Sequence, residues 1–404
     1  MTILIKNARI IPATGVDPIP RGTILVEGAR IVSLGPSDEV EVQPGEDVQL
    51  IDADGGTILP GLMDAHVHIA GRMSAEERLA GFTPRVVTAH MLRVMSVLED
   101  VVRGGVTTLR DCGFPHHGVF ALREGIDAGR CLGPRLLLSG RALAATGGHG
   151  ASISVQADGA VAMRKAARAE TKAGADWIKL MATGGTSTPG ERTSDVQLTV
   201  AEMAAAVDEA HRRGRKVCAH CSCLEGARAL VKAGVDSIEH GIVLDDRVIE
   251  EMLDKGIWLV AGLKCTAIEG ESGPDSGIPD FVREKARGIY KMQMRSFQRA
   301  LRAGVQIAAG TDAGSPHLPL GRESLVLELA LMVELGMEPL VALESCTRQA
   351  AHLLGVEDSL GTLEEGKLAD MMIVDGDPLA DITMLNRVRW VMKGGDLVLG
   401  EAEQ

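Results

Sequence analysis

The sequence predicts an α/β fold, a (β/α)8 TIM barrel carrying a small β-sandwich built from both chain ends. Three observations predict it. A long central stretch repeats a short apolar run, a loop and a helix-like segment eight times. Both chain ends instead alternate short β-type runs with turns. Aromatic residues make up only 2% of the chain, so Ala, Val, Leu and Gly must fill the interior, which suits tightly packed α/β layers.

Residues 1–60 read as TILIKNARII, GTILVEGARIVSLG and VQLIDADGGTILPG, too few strands to bury a core alone. The C-terminal runs LADMMIVDG and VRWVMKGGDLVLG have the same texture. Pairing the two ends gives an expected β-sandwich of residues 1–60 plus 360–404, with the barrel at 61–359 between them. The barrel strands are GLMDAHVH, VTTLRDCG, RLLLSG, WIKLMATGG, KVCAHCS, SIEHG, WLVAGL and VQIAAGTDAG. Helical patterns such as VTAHMLRVMSVLEDVVRGG separate them, with Met91, Met95 and Leu98 as a core stripe.

A net charge of −13 argues against nonspecific binding to nucleic acid or an anionic membrane. The N-terminus lacks the pattern of a secretory signal, and no apolar run approaches the ~18 residues of a spanning helix. Seven scattered cysteines are not a disulfide framework. A cytoplasmic protein is expected.

In such a barrel the chemistry sits at the C-terminal ends of the strands. His66 and His68 end the first strand, and residues i and i+2 of a strand share a face, so both imidazoles can aim at one point. His220, His240 and Asp312 end the fifth, sixth and eighth strands. Lys179 ends the fourth, among Trp, Ile, Leu and Met, where an unpaired ammonium is costly. It must either pair with a carboxylate or lose its charge, for instance by taking up carbon dioxide as a carbamate. Arg110 and Asp111 read as a buried ion pair, and His116-His117 as surface. Cys218, Cys221 and Cys223, which surround His220, read as packing residues rather than thiolate ligands.

GLMDAHVH, the strand-4 lysine, the histidines of strands 5 and 6 and the strand-8 aspartate together resemble the amidohydrolase superfamily. TILPGLMDAHVH and GTLEEGKLADMMIVDGDPL frame the barrel as in that superfamily, so the resemblance covers nearly the whole chain. KLMATGGTSTPG, GGHG at 147–150 and AGVDSIEHG look like the branch of metal-dependent dipeptidases and prolidases, whose relatives include ochratoxin, phenylurea and thiocarbamate hydrolases. The resemblance implies two divalent metal ions: one held by His66, His68 and Asp312, the other by His220 and His240, with carboxylated Lys179 bridging them. Zinc suits these ligands, and manganese, cobalt or iron are compatible. It further implies amide hydrolysis by a metal-bridging hydroxide, with Asp312 as general base and acid and His149 contacting the substrate carbonyl or carboxylate. Relatives of this kind often form homo-oligomers.

One position departs from the branch. Two residues after the strand-5 histidine, where the branch often has a carboxylate-binding tyrosine, stands Ser222. Lys264 and His317 are candidate replacement contacts, each with the alternative of a solvated loop residue. Residues 69–85 and 264–285 are expected to wall the pocket, the second as a candidate lid. Two substrate classes stay open: dipeptides or N-acyl amino acids, and neutral amides, ureas, carbamates or an ochratoxin-type amide. A non-catalytic scaffold is disfavoured, because such homologues typically lose ligands and here all six positions are filled.

Overall fold

The computed structural model describes residues 2–40, 48–71, 81–314 and 318–401. They divide into two compact units: residues 1–64, 98–108 and 321–404 in one, and 65–97 and 109–320 in the other.

Strands from both chain ends form one eight-stranded sheet in the first unit. Thr2–Ile10 pairs antiparallel with Ile19–Glu27 and parallel with Val48–Asp52 and Thr57–Pro60. The chain ends meet where Thr57–Pro60 runs antiparallel to Met371–Val374, with Ile58 opposite Ile373. Period-2 alternation buries Ile3, Ile5, Ala8 and Ile10, and the alternation slips once, at a bulge where Asn7 adopts φ 55°. These side chains share a core with Ile24, Val26, Ile58, Met371, Ile373 and Trp390.

The second unit is α/β with parallel strands. Ser154–Gln156, Ala142–Ala144, Trp177–Met181, Lys216–His220, Ser237–Glu239 and Trp258–Val260 form a six-stranded parallel sheet in that order. The strands Leu62–Val67 and Val106–Asp111 run on from the first unit into the second, where Arg135–Leu138 follows them in the chain. Residues 306–313 hydrogen-bond on both sides, through Leu259 N to Gln306 O (2.9 Å) and through Ala65 N to Ala309 O (2.9 Å). The strands are buried on both faces, as their continuous apolar runs require. Helices follow them with well-marked ends. Thr199 and Glu202 form a reciprocal capping box on Val200–His211, and Asp245 caps Asp246–Lys255.

In the helix Pro84–Arg103, Val94 and Leu98 are buried while Met91 and Met95 are half-buried, so the expected stripe is present with a partly open edge. Among the described residues, no helix is long and apolar enough to cross a membrane.

Candidate metal centre and active site

The strand Leu62–Val67 ends by presenting His66, and His68 follows two residues on. Both face Asp312: His66 Nε2 lies 3.5 Å and His68 Nε2 3.4 Å from its Oδ1. One ligand atom from each of the three fits within 4.8 Å of the others. Lys179 Nζ stands 3.3 Å from His66 Nε2 and the residue is 1% exposed. The His66 and His240 rings are 5.1 Å apart and those of His220 and His240 4.8 Å apart. The six residues read from the strand ends therefore converge on one point, in a cavity of about 240 Å³ that His149 and Ser222 also line.

The backbone is shaped to aim them. His240 (φ 68°) and Asp312 (φ 55°) adopt left-handed conformations rare for residues with side chains. Asp312 N bonds His66 O (2.7 Å) and His240 N bonds Val260 O (2.8 Å), which hold these turns in place. Close approach fixes the glycines around Asp312. A Cβ on Gly314 would stand 1.9 Å from His68 O, and one on Gly310 2.4 Å from Val260.

Three of the four candidate histidine ligands have their far side fixed. His66 Nδ1 donates to Glu239 Oε2 (2.6 Å), which turns Nε2 toward Lys179 and Asp312. His68 Nδ1 donates to Gly113 O (3.3 Å), leaving Nε2 toward Asp312. His220 Nε2 donates to Gly184 O (3.2 Å), with Ser222 Oγ at 3.0 Å, which leaves Nδ1 free. Outer acceptors that set tautomer and ring direction in this way are characteristic of metal-ligating histidines.

Burial holds His66 down at about 3, reinforced by the Lys179 charge, and His240 down at about 4. Burial, with His149 beside it, also takes His220 well below the ordinary histidine value. These imidazoles are neutral near pH 7, the state that ligates. Burial alone would raise Asp312, but His68, His66 and His240 hold it well below the carboxylate range; Asp312 in turn lifts His68 against its burial. Among the described residues no carboxylate lies within ion-pair distance of Lys179, so none of them realises the carboxylate-pairing option.

Two acids that sequence reading missed complete the site. Glu239, fully enclosed, accepts from His66 and from Arg110 Nη2 (2.9 Å to each oxygen). Its signal was a charged residue inside SIE, a strand of three buried residues directly before His240. Glu191 accepts from His149 Nδ1 (2.6 Å), Gln197 Nε2 (2.8 Å) and Gly185 N (2.8 Å). This holds the His149 ring stacked on His220, with centroids 4.4 Å apart.

The expected Arg110–Asp111 ion pair does not form. Consecutive strand residues point to opposite faces. Arg110 therefore turns to Glu239, Ser237, Ala65 O and the Trp177 ring, while Asp111 accepts from Ile69 N (2.9 Å). His117 is exposed and pairs with Glu170 (2.9 Å); His116 is half-buried, 3.2 Å from His90. Cys218 and Cys221 are buried, Cys223 is half-buried and all three are free thiols. Lys264 is not a solvated loop residue. It is 1% exposed on the helix Leu263–Glu271, which reaches the cavity through Cys265, Thr266 and Glu269. Burial raises the Glu269 carboxyl to about 7. The segment read as a lid is thus largely helical, with a second helix from Asp280. His317 and residues 72–80 of the other expected wall lie outside the described residues.

Comparison with known proteins gives the same neighbourhood. The amidohydrolase family model matches residues 57–398. Ochratoxinase of Aspergillus niger is 29% identical over 430 residues, 98% of this chain and 86% of that protein. A Xaa-Pro dipeptidase crystallised with methionine in its active site superposes with TM-score 0.87 at 30% identity, covering 99% of this chain and 100% of that one. A prolidase complexed with N-methylphosphonate-L-proline superposes with TM-score 0.88 at 27% identity, covering 99% and 100%. A TIM-barrel-like α/β fold and hydrolysis of C–N bonds go with this membership: the chain belongs to the amidohydrolase family.

Proposed function

We propose that this enzyme uses two divalent metal ions to hydrolyse amide bonds of dipeptides or N-acyl amino acids. The observation that carries the reading is the convergence of His66, His68, Lys179, His220, His240 and Asp312 on one cavity, each of the first two and His220 with its second nitrogen already engaged. The donor set would suit two ions: His66, His68 and Asp312 would hold one, His220 and His240 the other, and Lys179, as a carbamate, would serve both. A buried lysine without an ion-pair partner among the described residues supports that modification. Zinc is the metal we favour from the ligand types. The same reading takes residues 61–359 as a closed barrel and 1–60 plus 360–404 as a sandwich. The two-sided hydrogen bonding of residues 306–313 supports closure.

Bound divalent ions supply a water of lowered pKa and polarise the scissile carbonyl. Asp312, low in pKa and therefore ionised, takes the proton released on attack and returns it to the leaving nitrogen. With Nδ1 locked by Glu191, His149 donates to the carbonyl oxygen through Nε2–H as charge develops there, a role that requires the ring protonated on both nitrogens. Glu191→Gln therefore lowers kcat on the order of 100-fold through a misplaced His149, while KM moves less than about threefold. Rescue by Glu191→Asp is partial. A proportional change in KM would mean that Glu191 only shapes the binding wall.

A second reading, on neutral amides, ureas, carbamates or ochratoxin-type amides, is favoured by one observation. Among the described cavity-lining residues there is no arginine, and Lys179 is the sole lysine, so none of these residues outside the centre offers a lysine or arginine to a substrate carboxylate. The deciding experiment measures kcat/KM of zinc-loaded enzyme with bicarbonate present. Substrates are N-acyl-proline and Xaa-Pro dipeptides, their C-terminal amides, and a phenylurea. A loss of 100-fold or more on amidation, about 2.7 kcal/mol, supports the dipeptidase reading. Equal or better rates on amides or urea move the substrate to the neutral class. Absence of turnover on every amide overturns both.

A further inference from the structure

We propose that Glu269 sets the charge of the substrate, its carboxylate receiving a protonated nitrogen of the molecule whose amide lies beside His66 and Asp312. This deepens the amide-hydrolase reading and rests on it only for the position of the scissile bond.

The helix Leu263–Glu271 leaves the sheet at Gly262, two residues beyond the strand Trp258–Val260. Thr266 fastens it by bonding Gln293, whose amide in turn reaches Ala261 O (2.6 Å) and His240 O (3.2 Å). The wall is therefore tied to the backbone of a candidate ligand. Cys265 and Glu269 are four residues apart and share a helix face, and both line the cavity. The Cys265 thiol bonds Asp312. Glu269 stands one turn, about 5–6 Å, further along, a few covalent bonds from where a carbonyl would react.

Its two oxygens are not equally engaged. The carboxyl bonds Thr186 across the cavity, yet Oε2 is buried and has no hydrogen-bond partner among the described residues. A buried acceptor left unpaired is costly and calls for a donor. Within the described lining the acids are Asp312 and Glu269, and beside the serines and threonines of the wall stands an apolar part made by Ile153, Met181, Ile242, Ile289 and Leu318. An alkyl chain ending in an ammonium or guanidinium satisfies both the apolar wall and the vacant acceptor. Two sources share that chemistry: the α-ammonium of a free dipeptide and a basic side chain.

The test compares kcat/KM within pairs of C-terminally amidated substrates, on zinc-loaded wild type and Glu269→Gln. Leu-Pro-amide against its N-acetyl form reads the α-ammonium. N-acetyl-Lys-Pro-amide against N-acetyl-norleucyl-Pro-amide reads the side chain. The expected result is at least a tenfold preference for the charged member of one pair, falling below threefold in the variant. Because a ratio is read, a general loss of activity cancels, and thermal unfolding checks the fold. Equal rates within both pairs, or a preference that survives the substitution, overturn the proposal. Calorimetric titration of the zinc-loaded protein with n-butylammonium and n-butanol keeps the test independent of turnover. Ammonium affinity must exceed that of the alcohol and drop at least threefold in Glu269→Gln; an unchanged affinity overturns the proposal even where no amide is cleaved.

Discussion

Arg110→Met lowers the stability of the metal-free protein by about 3–5 kcal/mol, the cost of stranding one member of a buried ion pair. Arg110 and Glu239 are both fully enclosed. The guanidinium gives Glu239 both of its Nη2 bonds at 2.9 Å, bonds Ser237 Oγ (3.2 Å) and Ala65 O, and lies 4.5 Å from the centre of the Trp177 ring. Burial pushes the Glu239 carboxyl up, but Arg110 first and His66 second hold it far below its ordinary value. Methionine removes that compensation and leaves a carboxylate in an apolar interior.

The double variant Arg110→Met with Glu239→Leu separates two roles of the pair. Removing both charges is expected to recover most of the stability, since an apolar replacement of a whole buried pair is often neutral. It does not recover metal affinity, because His66 Nδ1 has then lost its acceptor; a loss of about 10–100-fold is expected. Urea unfolding of the metal-free protein reads the first effect and competition with a chromophoric chelator the second. A single variant as stable as the wild type, or a double variant with undiminished metal affinity, would sink this account.

How legible the site was in the sequence depends on the range over which each residue acts. His66, His68, Lys179, His220, His240 and Asp312 were readable because strand parity and strand ends are local properties, and a barrel gathers strand ends by construction. Glu239 was not, because its meaning lies in Arg110, 129 residues away, and in His66, 173 residues away. Adjacency suggested Asp111 as the partner of Arg110, and strand geometry forbids it. Glu191 escaped for the same reason as Glu239, being 42 residues from His149 in a loop without periodicity. Residues 264–285 looked like a loop because Gly and Pro punctuate them. Their first part, LKCTAIEGE, is a helix whose faces separate Glu269 in the cavity from buried Lys264. At the chain ends, alternation gave the strands correctly, while the pairing of Ile58 with Ile373 became visible only once they were folded.

Asp312→Asn is expected to lower kcat/KM by 10³-fold or more, about 4 kcal/mol of transition-state stabilisation. The substitution isolates charge from shape. Asp312 sits at φ 55°, a conformation asparagine tolerates better than most residues, so the backbone bond from its N to His66 O at 2.7 Å should persist. The amide keeps an oxygen for His68 but cannot take up the proton that Asp312 is proposed to carry, and loss of a positioned acid–base group alone costs about 10²–10⁴-fold. Asp312→Ala should be worse still, adding strain at a positive φ and removing the carboxylate that faces both His66 and His68. Metal content, measured on the same samples, distinguishes the two causes. An asparagine variant that retains both ions yet loses 10³-fold in kcat, with KM nearly constant, places the defect in proton transfer. One that loses an ion first assigns the defect to ligation. A variant within tenfold of the wild type on its best amide substrate would remove Asp312 from the chemistry and, with it, the mechanism derived from its position between His66 and His68.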